Sequence, residues 1–247
     1  LNHMYSESLN MYGDLGNVIA LQHRAGLRGI RVEVVHTELN EKFVPADIYL
    51  IGGGQDKDQM YVYRDLLKHK ETIQEEVEKG KIFLLICGGY QLFGKSFIDG
   101  EGNLIEGLEI LDIDTAALDT SVASRCIGNA VVKIRGKFAE EWGINLSFSE
   151  YLVGFENHGG QTRFLSDSVQ PIGDVITGFG NNFFDKIEGA SYKNIIGTYL
   201  HGSILPKNPH LTDAILQKAL HFHDKDFTLP EADWHLEQLA HQSVVGK

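Results

Sequence analysis

The residues best placed to do chemistry lie in Lys81-Ile-Phe-Leu-Leu-Ile-Cys87-Gly-Gly-Tyr-Gln91-Leu-Phe-Gly94. Ile82 to Ile86 form a continuous apolar run, short enough for a strand buried on both faces. Cys87 ends the run and two glycines follow at once. Gly88 and Gly89, with no Cβ to clash, predict a sharp turn there, and Tyr90 onward reads as the first turn of a helix. A cysteine between a strand end and a helix start meets unpaired backbone N–H groups and the positive end of the helix dipole. Both lower a thiol's pKa, and the thiolate is the nucleophile. The pattern is that of a nucleophile elbow with cysteine in place of serine. A small buried cysteine packed as an apolar residue is the other reading of the same segment.

A second motif overlaps the first. Gly89-Tyr-Gln-Leu-Phe-Gly94-Lys95-Ser96 satisfies the G-x-x-x-x-G-K-S pattern of a phosphate-binding loop, and the apolar run from Leu108 ends at Asp112, an acid that suits a magnesium-binding strand end. A phosphate cradle needs exposed backbone N–H groups wrapped round an anion. Tyr90, Leu92 and Phe93 are better suited to packing a helix onto a sheet.

A thiol nucleophile needs a general base that also protonates the leaving group. Asn194-Ile-Ile-Gly-Thr-Tyr-Leu200 reads as a strand ending at His201-Gly202, which makes His201 the natural partner; His158, in Glu156-Asn-His-Gly159, is the rival. Asp47 to Ile51 is another strand, ending in Gly52-Gly-Gly-Gln-Asp56. The backbone N–H of Gly53 or Gly54, with that of Gly88, offers an oxyanion hole for acyl transfer, and a plain tight turn is the alternative for the glycine loop. His221, His223, His235 and His241 lack a third ligand at metal-site spacing, so no metal is expected.

The elements that must position these groups alternate. Tyr5 to Met11 is the first expected strand, a helix capped by Asn17 runs to about Gly29, and Arg31 to Val35 is the second strand. Val62, Leu66, Ile73 and Val77 give a helical stripe over residues 60–79, stopped by Gly80. Residues 98–190 are richer in glycine and β-like, with strands at Ile127–Ile134 and Tyr151–Phe155 and no strong helical period between them. After the His201 strand, Pro206 to Pro209 reads as a loop, and Asn208 caps a helix with Leu211, Ile215, Ala219 and Phe222 on its buried face. The tail from about residue 225 fits no element. This rhythm predicts an α/β fold, a doubly wound, mostly parallel sheet flanked by helices, as one domain over 1–247. In such sheets ligands sit outside the carboxyl ends of the strands, where the Gly52 loop, Cys87 and His201 all fall.

Composition narrows the partners. The chain has 247 residues, 43% hydrophobic and 23% charged, with a net charge of −12. That balance suits a globular protein and, with no basic stripe, argues against nucleic-acid binding. No apolar run is long enough for a membrane span, no secretory signal pattern opens the sequence, and two cysteines make no disulfide framework. The expected compartment is the cytoplasm.

Cys87-Gly-Gly-Tyr-Gln91 together with Tyr199-Leu-His201-Gly resembles the class I glutamine amidotransferases, specifically their CobB/CobQ-like branch. Asn10-Met-Tyr-Gly-Asp-Leu-Gly-Asn17, Gly52-Gly-Gly-Gln-Asp56, Arg125-Cys-Ile-Gly-Asn129 and Gly154-Phe-Glu-Asn-His-Gly159 narrow the resemblance to the glutaminase subunits of lipid II isoglutaminyl synthases. It runs from about residue 3 to residue 212. It implies that Cys87 attacks the glutamine amide and His201 protonates the departing ammonia, with Gly53, Gly88, Gln91 and Arg125 binding substrate. It also implies a MurT-like ligase subunit as partner, which carries ATP and magnesium and amidates the D-glutamate of the lipid II stem. This chain itself would need no cofactor. Other amidotransferase subunits of the cobyric-acid-synthase type, an inactive binding module on the same fold, and the phosphate-loop protein are the alternative readings. One departure stands out. Class I enzymes place a glutamate two residues after the histidine, and this chain has Ser203. Glu156, Asp185 or an acid from the partner is then needed to orient the imidazole.

Overall fold

The computed structural model describes residues 1–10, 13–54, 56–98, 102–117 and 125–246. Its first elements are β1 (Asn2–Met4), α1 (Leu15–Gly26), β2 (Val35–Thr37), β3 (Ile48–Ile51), α2 (Asp56–Leu66), α3 (Lys70–Glu78) and β4 (Ile82–Ile86). β1 pairs in parallel with β2 on one side and β3 on the other, and β3 pairs in parallel with β4. The chain therefore steps outward from β1 to β2, then returns past β1 to β3 and β4. Right-handed crossovers in opposite directions put α1 on one face of the sheet and α2–α3 on the other, with the switch point between β1 and β3.

Local chemistry explains where these elements differ from expectation. β1 lies three residues earlier than the predicted Tyr5–Met11 strand, because Tyr5 adopts φ 54° and turns the chain; Met11 lies outside the described residues. The second strand starts at Val35 rather than ending there, since the parallel register matches Asn2 to Val35 and Met4 to Thr37. Val32 and Val34 instead pack against the core from outside the ladder. The helix expected over 60–79 is two helices joined by a tight turn at Leu67–His69. The first N–H of α1 is capped by the Asn10 side chain at 2.9 Å, while Asn17 lies inside the helix and accepts the Leu205 N–H.

β4 matches the predicted run, and all five of its side chains are fully buried. Each such burial contributes roughly 1.5–3 kcal/mol. Phe83 stacks on Tyr49 of β3 at 4.6 Å and meets Phe93 beyond the turn at 5.7 Å, locking the strand and the following helix together.

Beyond β4 come α4 (Gly88–Leu92), β5 (Ser96–Ile98), β6 (Leu104–Glu106), β7 (Ile113–Ala117), β8 (Cys126–Ile134), α5 (Gly136–Trp142), β9 (Tyr151–His158), β10 (Gly160–Phe164), β11 (Gly173–Thr177) and β12 (Ile187–Glu188). They build two four-stranded sheets, in the orders β10-β7-β5-β6 and β12-β11-β8-β9. The β character expected for this stretch is thus present, with α5 as the exception. Seven residues are too few to show a period, and Gly143 at φ 67° ends the helix in the left-handed conformation.

The chain then returns to the main sheet through β13 (Ala190–Tyr192) and β14 (Ile195–Thr198), followed by α6 (Ile204–Lys207), α7 (Pro209–Leu220) and α8 (His235–Val245). β14 pairs in parallel with β4, and the main sheet reads β13-β14-β4-β3-β1-β2. The segment expected as a loop before Pro209 is the short α6. Asn208 does not cap α7 with its side chain. It binds the Val153 N–H and carbonyl at 2.9 and 2.8 Å, acting as a substitute strand partner for β9.

The unplaced tail is docked as α8. His241 bonds the Lys207 carbonyl and the Ser149 hydroxyl, each at 2.8 Å, and Trp234 packs on Phe148. Arg24 of α1, buried, grips Asp213 through two nitrogens and Glu237 of α8 through a third. Among the described residues no helix is long and apolar enough to cross a membrane.

Candidate active site

Cys87 stands at the carboxyl end of β4 with φ 49° and ψ −101°. A positive φ on a non-glycine residue costs on the order of 1–3 kcal/mol and persists only where surroundings impose it. The surroundings are visible. The Cys87 N–H is donated to the Thr198 carbonyl of β14 at 2.9 Å, and its own carbonyl accepts the Gln91 N–H at 3.0 Å. The strained angle therefore falls on the cysteine and not on the glycines after it. Gly88 and Gly89 are required by close approach. A Cβ on Gly88 would lie 2.7 Å from the Gln59 amide, and one on Gly89 would lie 2.6 Å from the Ile51 carbonyl oxygen.

The same geometry dissolves the phosphate-loop motif. The N–H groups of Gly89, Gln91, Gly94 and Lys95 are donated to the carbonyls of Gly52, Cys87, Gln91 and Ile113. Lys95 pairs with Asp112 at 2.6 Å and the Ser96 hydroxyl with Asp114 at 2.9 Å, while Tyr90, Leu92 and Phe93 are fully buried. These donors and side chains face protein, not an anion.

His201 follows β14 and is anchored by two backbone bonds with Phe155 of β9, donating at 2.7 Å and accepting at 3.2 Å. Because β14 neighbours β4, the segments carrying Cys87 and His201 leave the same end of adjacent strands. The imidazole is 1% exposed, and burial, followed by the nearby His158 and Arg125, pushes it down to about 3. It is neutral at physiological pH. His158 is also buried; it stacks on Tyr199 at 3.9 Å and bonds the Gly160 carbonyl through Nδ1 at 2.8 Å.

The other candidates gather around this pair. Arg125 lies just before β8, its Nε donating to the Asn157 side chain at 2.9 Å and its Nη2 to the Asn157 carbonyl at 2.8 Å, so the guanidinium fork is held next to His158. Gln91 of α4 donates to the Tyr199 hydroxyl at 3.2 Å, which in turn lies 2.6 Å from the Thr162 hydroxyl. The Gly53 N–H is already donated to Asp14 at 2.8 Å. Of the two glycine donors proposed for that loop, Gly54 is the one not engaged by Asp14. Gln55, in the same loop, lies outside the described residues, as do Met11 and Tyr12 of the motif that contains Asp14. Cys126 is buried with its Sγ 3.6 Å from the Gln161 amide, and burial pushes its thiol up.

Ser203, at the position of the class I glutamate, is bonded to the loop before α1. It has φ 50° and donates its hydroxyl to the Gly13 carbonyl at 2.6 Å, against Gly16 of α1. Glu156 accepts the N–H groups of Phe179 and Gly180, both at 2.7 Å, and Asp185 accepts from Asn182.

The sequence of residues 1–209 matches the CobB/CobQ-like glutamine amidotransferase domain. The chain belongs to this family. A curated relative of this amidotransferase is the lipid II isoglutaminyl synthase (glutamine-hydrolyzing) subunit GatD of Staphylococcus aureus, 41% identical over 99% of this chain and 94% of its own length. The subunit of the same name from Streptococcus pneumoniae is 38% identical over 88% of this chain and 79% of its own. Among solved structures, PurLQS from Thermotoga maritima superposes with a TM-score of 0.60 at 14% identity, covering 90% of this chain and 98% of that one, a likeness of fold.

The site also depends on groups that sequence patterns do not reveal. Asp14 is buried, pushed up to about 6 by burial, and pins the glycine loop through Gly53. Glu188, Thr198, Tyr199 and Thr162 form a buried polar layer behind Cys87. Asp14 and Tyr199 lie inside motifs; Glu188, Thr198 and Thr162 are single polar residues that no motif marks.

Proposed function

We propose that this amidotransferase is the glutaminase subunit of a two-subunit lipid II isoglutaminyl synthase, supplying ammonia to a MurT-like, ATP-dependent ligase in the cytoplasm. What carries the reading is the strained Cys87 at the end of β4 beside the His201 segment at the end of β14. The high identity to two subunits of that name supports the pathway. In this reading Cys87 Sγ attacks the side-chain amide carbon of glutamine while its proton passes to His201. The N–H groups of Gly88 and Gly54 take the oxyanion. His201 then gives the proton to the nitrogen as the C–N bond breaks, releasing ammonia and leaving a thioester. Water, deprotonated by His201, adds to the thioester and frees glutamate and the thiol. The ATP and magnesium needed to activate the acceptor carboxylate belong on the ligase.

A neutral, deeply buried His201 is a poor partner for a thiolate, and a carboxylate beside it would raise its pKa toward the working range. We assign that carboxylate to the ligase subunit, since Ser203 stands where class I enzymes place their glutamate and donates its hydroxyl to the Gly13 carbonyl. The expected result is slow hydrolysis by the isolated chain and stimulation by about a hundredfold on complex formation, the scale of a positioned acid–base group. Turnover at saturating glutamine, measured with and without the co-purified ligase, tests it. Equal rates would show that the chain completes its own site.

Arg125 is the proposed clamp for the glutamine α-carboxylate, since a guanidinium fork matches a carboxylate and Asn157 presets its plane. Arg125→Ala should raise KM for glutamine by about 10- to 100-fold, the loss of a charged hydrogen-bonded pair, with a smaller change in kcat. Lys133→Ala, at an exposed ion pair with Glu150, is the control. An unchanged KM in Arg125→Ala removes Arg125 from the binding site.

A further inference from the structure

β14 stops pairing at Thr198, and the hairpin with β13 reaches only Gly197. Between Thr198, the last residue paired with β4, and His201, bonded to Phe155 of β9, Tyr199 and Leu200 therefore cross the back of the elbow outside any ladder, although Thr198 and Tyr199 are fully buried. A buried N–H or hydroxyl with no acceptor costs about 1–3 kcal/mol, so these donors need a partner from elsewhere. Glu188 supplies it. Its Oε1 accepts the Thr198 hydroxyl at 2.6 Å and the Tyr199 N–H at 2.9 Å, and the Thr198 hydroxyl accepts the Leu200 N–H at 3.0 Å.

The carboxyl group reaches the main sheet from a different one. Glu188 ends β12, where its carbonyl accepts the Ile172 N–H, and the next residue, Gly189, is held by both ends of the Asn181 amide at 2.8 and 2.9 Å. It is thus a fixed post planted in the second layer. Thr198, which it grips, is the residue whose carbonyl holds the Cys87 N–H at 2.9 Å. Tyr199 and Leu200, the next two residues, lead directly to His201. One carboxyl group therefore braces both the strained nucleophile turn and the segment carrying the histidine.

We propose that Glu188 is a positioning residue for the Cys87–His201 pair, acting through Thr198 and Tyr199 and touching no substrate. The proposal rests on the Cys87–His201 reading above. Burial, reinforced by Glu156, pushes Glu188 up to about 8, so it is mostly uncharged at neutral pH. Glutamine reproduces that state and keeps an acceptor oxygen at the Oε1 position.

The test is glutamine hydrolysis by the chain with its ligase partner, separating kcat from KM. Glu188→Leu should lower kcat by about a hundredfold, the effect of an ångström-scale misplacement of reacting groups, with KM within about threefold of the parent. Glu188→Gln should restore kcat to within about threefold of the parent. Thr198→Val, of similar size and lacking only the hydroxyl, should cost about tenfold in kcat, and it decides the matter if Glu188→Leu does not fold. A parental kcat in Glu188→Leu or Thr198→Val overturns the proposal. So does a loss confined to KM, or a folded Glu188→Gln as impaired as Glu188→Leu. Cys87→Ala run alongside separates the two levels. If it still hydrolyses glutamine, the Cys–His reading itself is wrong; if it is inactive while Glu188→Leu and Thr198→Val turn over normally, only the positioning role is.

Discussion

Cys87→Ser is expected to lower glutamine hydrolysis by about a thousandfold or more with the ligase partner present, since the nucleophile and its base act as a unit. The substitution is close to isosteric. The backbone bonds that hold the turn, the Cys87 N–H donated to Thr198 and its carbonyl accepting from Gln91, do not involve the side chain, so the elbow should survive. What changes is the acidity of the nucleophile. A thiol gives up its proton far more readily than a hydroxyl, so the serine is the weaker nucleophile beside the same base. A glutamine-mimicking electrophile should accordingly label Cys87 and leave Cys126 unmodified, because Cys126 is fully buried and its thiol is pushed up. Full hydrolysis by Cys87→Ser, or labelling at Cys126 in its place, would sink the assignment.

The second large effect is expected at His201. His201→Ala should lower kcat by about a hundred- to ten-thousandfold, the range for a general acid–base group, with little change in KM. His158→Ala should act differently. Its Nδ1 is bonded to the Gly160 carbonyl and its ring is stacked on Tyr199, so the alanine opens a cavity beside the Tyr199–Gln91 network. The expected result is a lower melting temperature and a smaller kinetic loss. The decisive comparison is kcat for the two variants, each checked for folding. Normal turnover in His201→Ala with an inactive, folded His158→Ala would exchange their roles.

Motif chemistry brought Cys87, His201 and Arg125 together before any coordinates. The structure places the two flanking strand ends side by side and Arg125 against Asn157, within electrostatic reach of His201. A strand buried on both faces must be apolar throughout, which is why Ile82–Ile86 was legible to the residue. Short edge elements were not. β1 and β2 have three residues each, and their limits are set by which backbone groups meet across a parallel register rather than by side-chain pattern. The same reason hid α5 and α6, each too short for a helical period to declare itself.

The nature of the turn at the nucleophile was decided only in three dimensions. The glycines were expected to absorb the unusual backbone angles, yet Cys87 carries the positive φ and the glycines make room for Gln59 and Ile51. Sequence can say that a Cβ is missing, but not which distant atom needs the space. Ser203 is a parallel case. Its identity showed that the usual glutamate is absent, and only the fold showed the hydroxyl donated to the Gly13 carbonyl.

By itself the sequence determined the chemical repertoire, a cysteine at a strand-to-helix turn and a histidine at a later strand end, and the layered α/β architecture that brings strand ends together. Those properties depend on residue type and local spacing, which a chain carries in one dimension. The tertiary structure alone decided how the repertoire is held. Asp14 takes the Gly53 N–H, Glu188 takes Thr198 and Tyr199, and Asn208 substitutes for a strand partner of Val153. Each is a single polar residue satisfying backbone groups that packing has cut off from water. Which groups are cut off is a property of the assembled layers, and no periodicity along the chain encodes it.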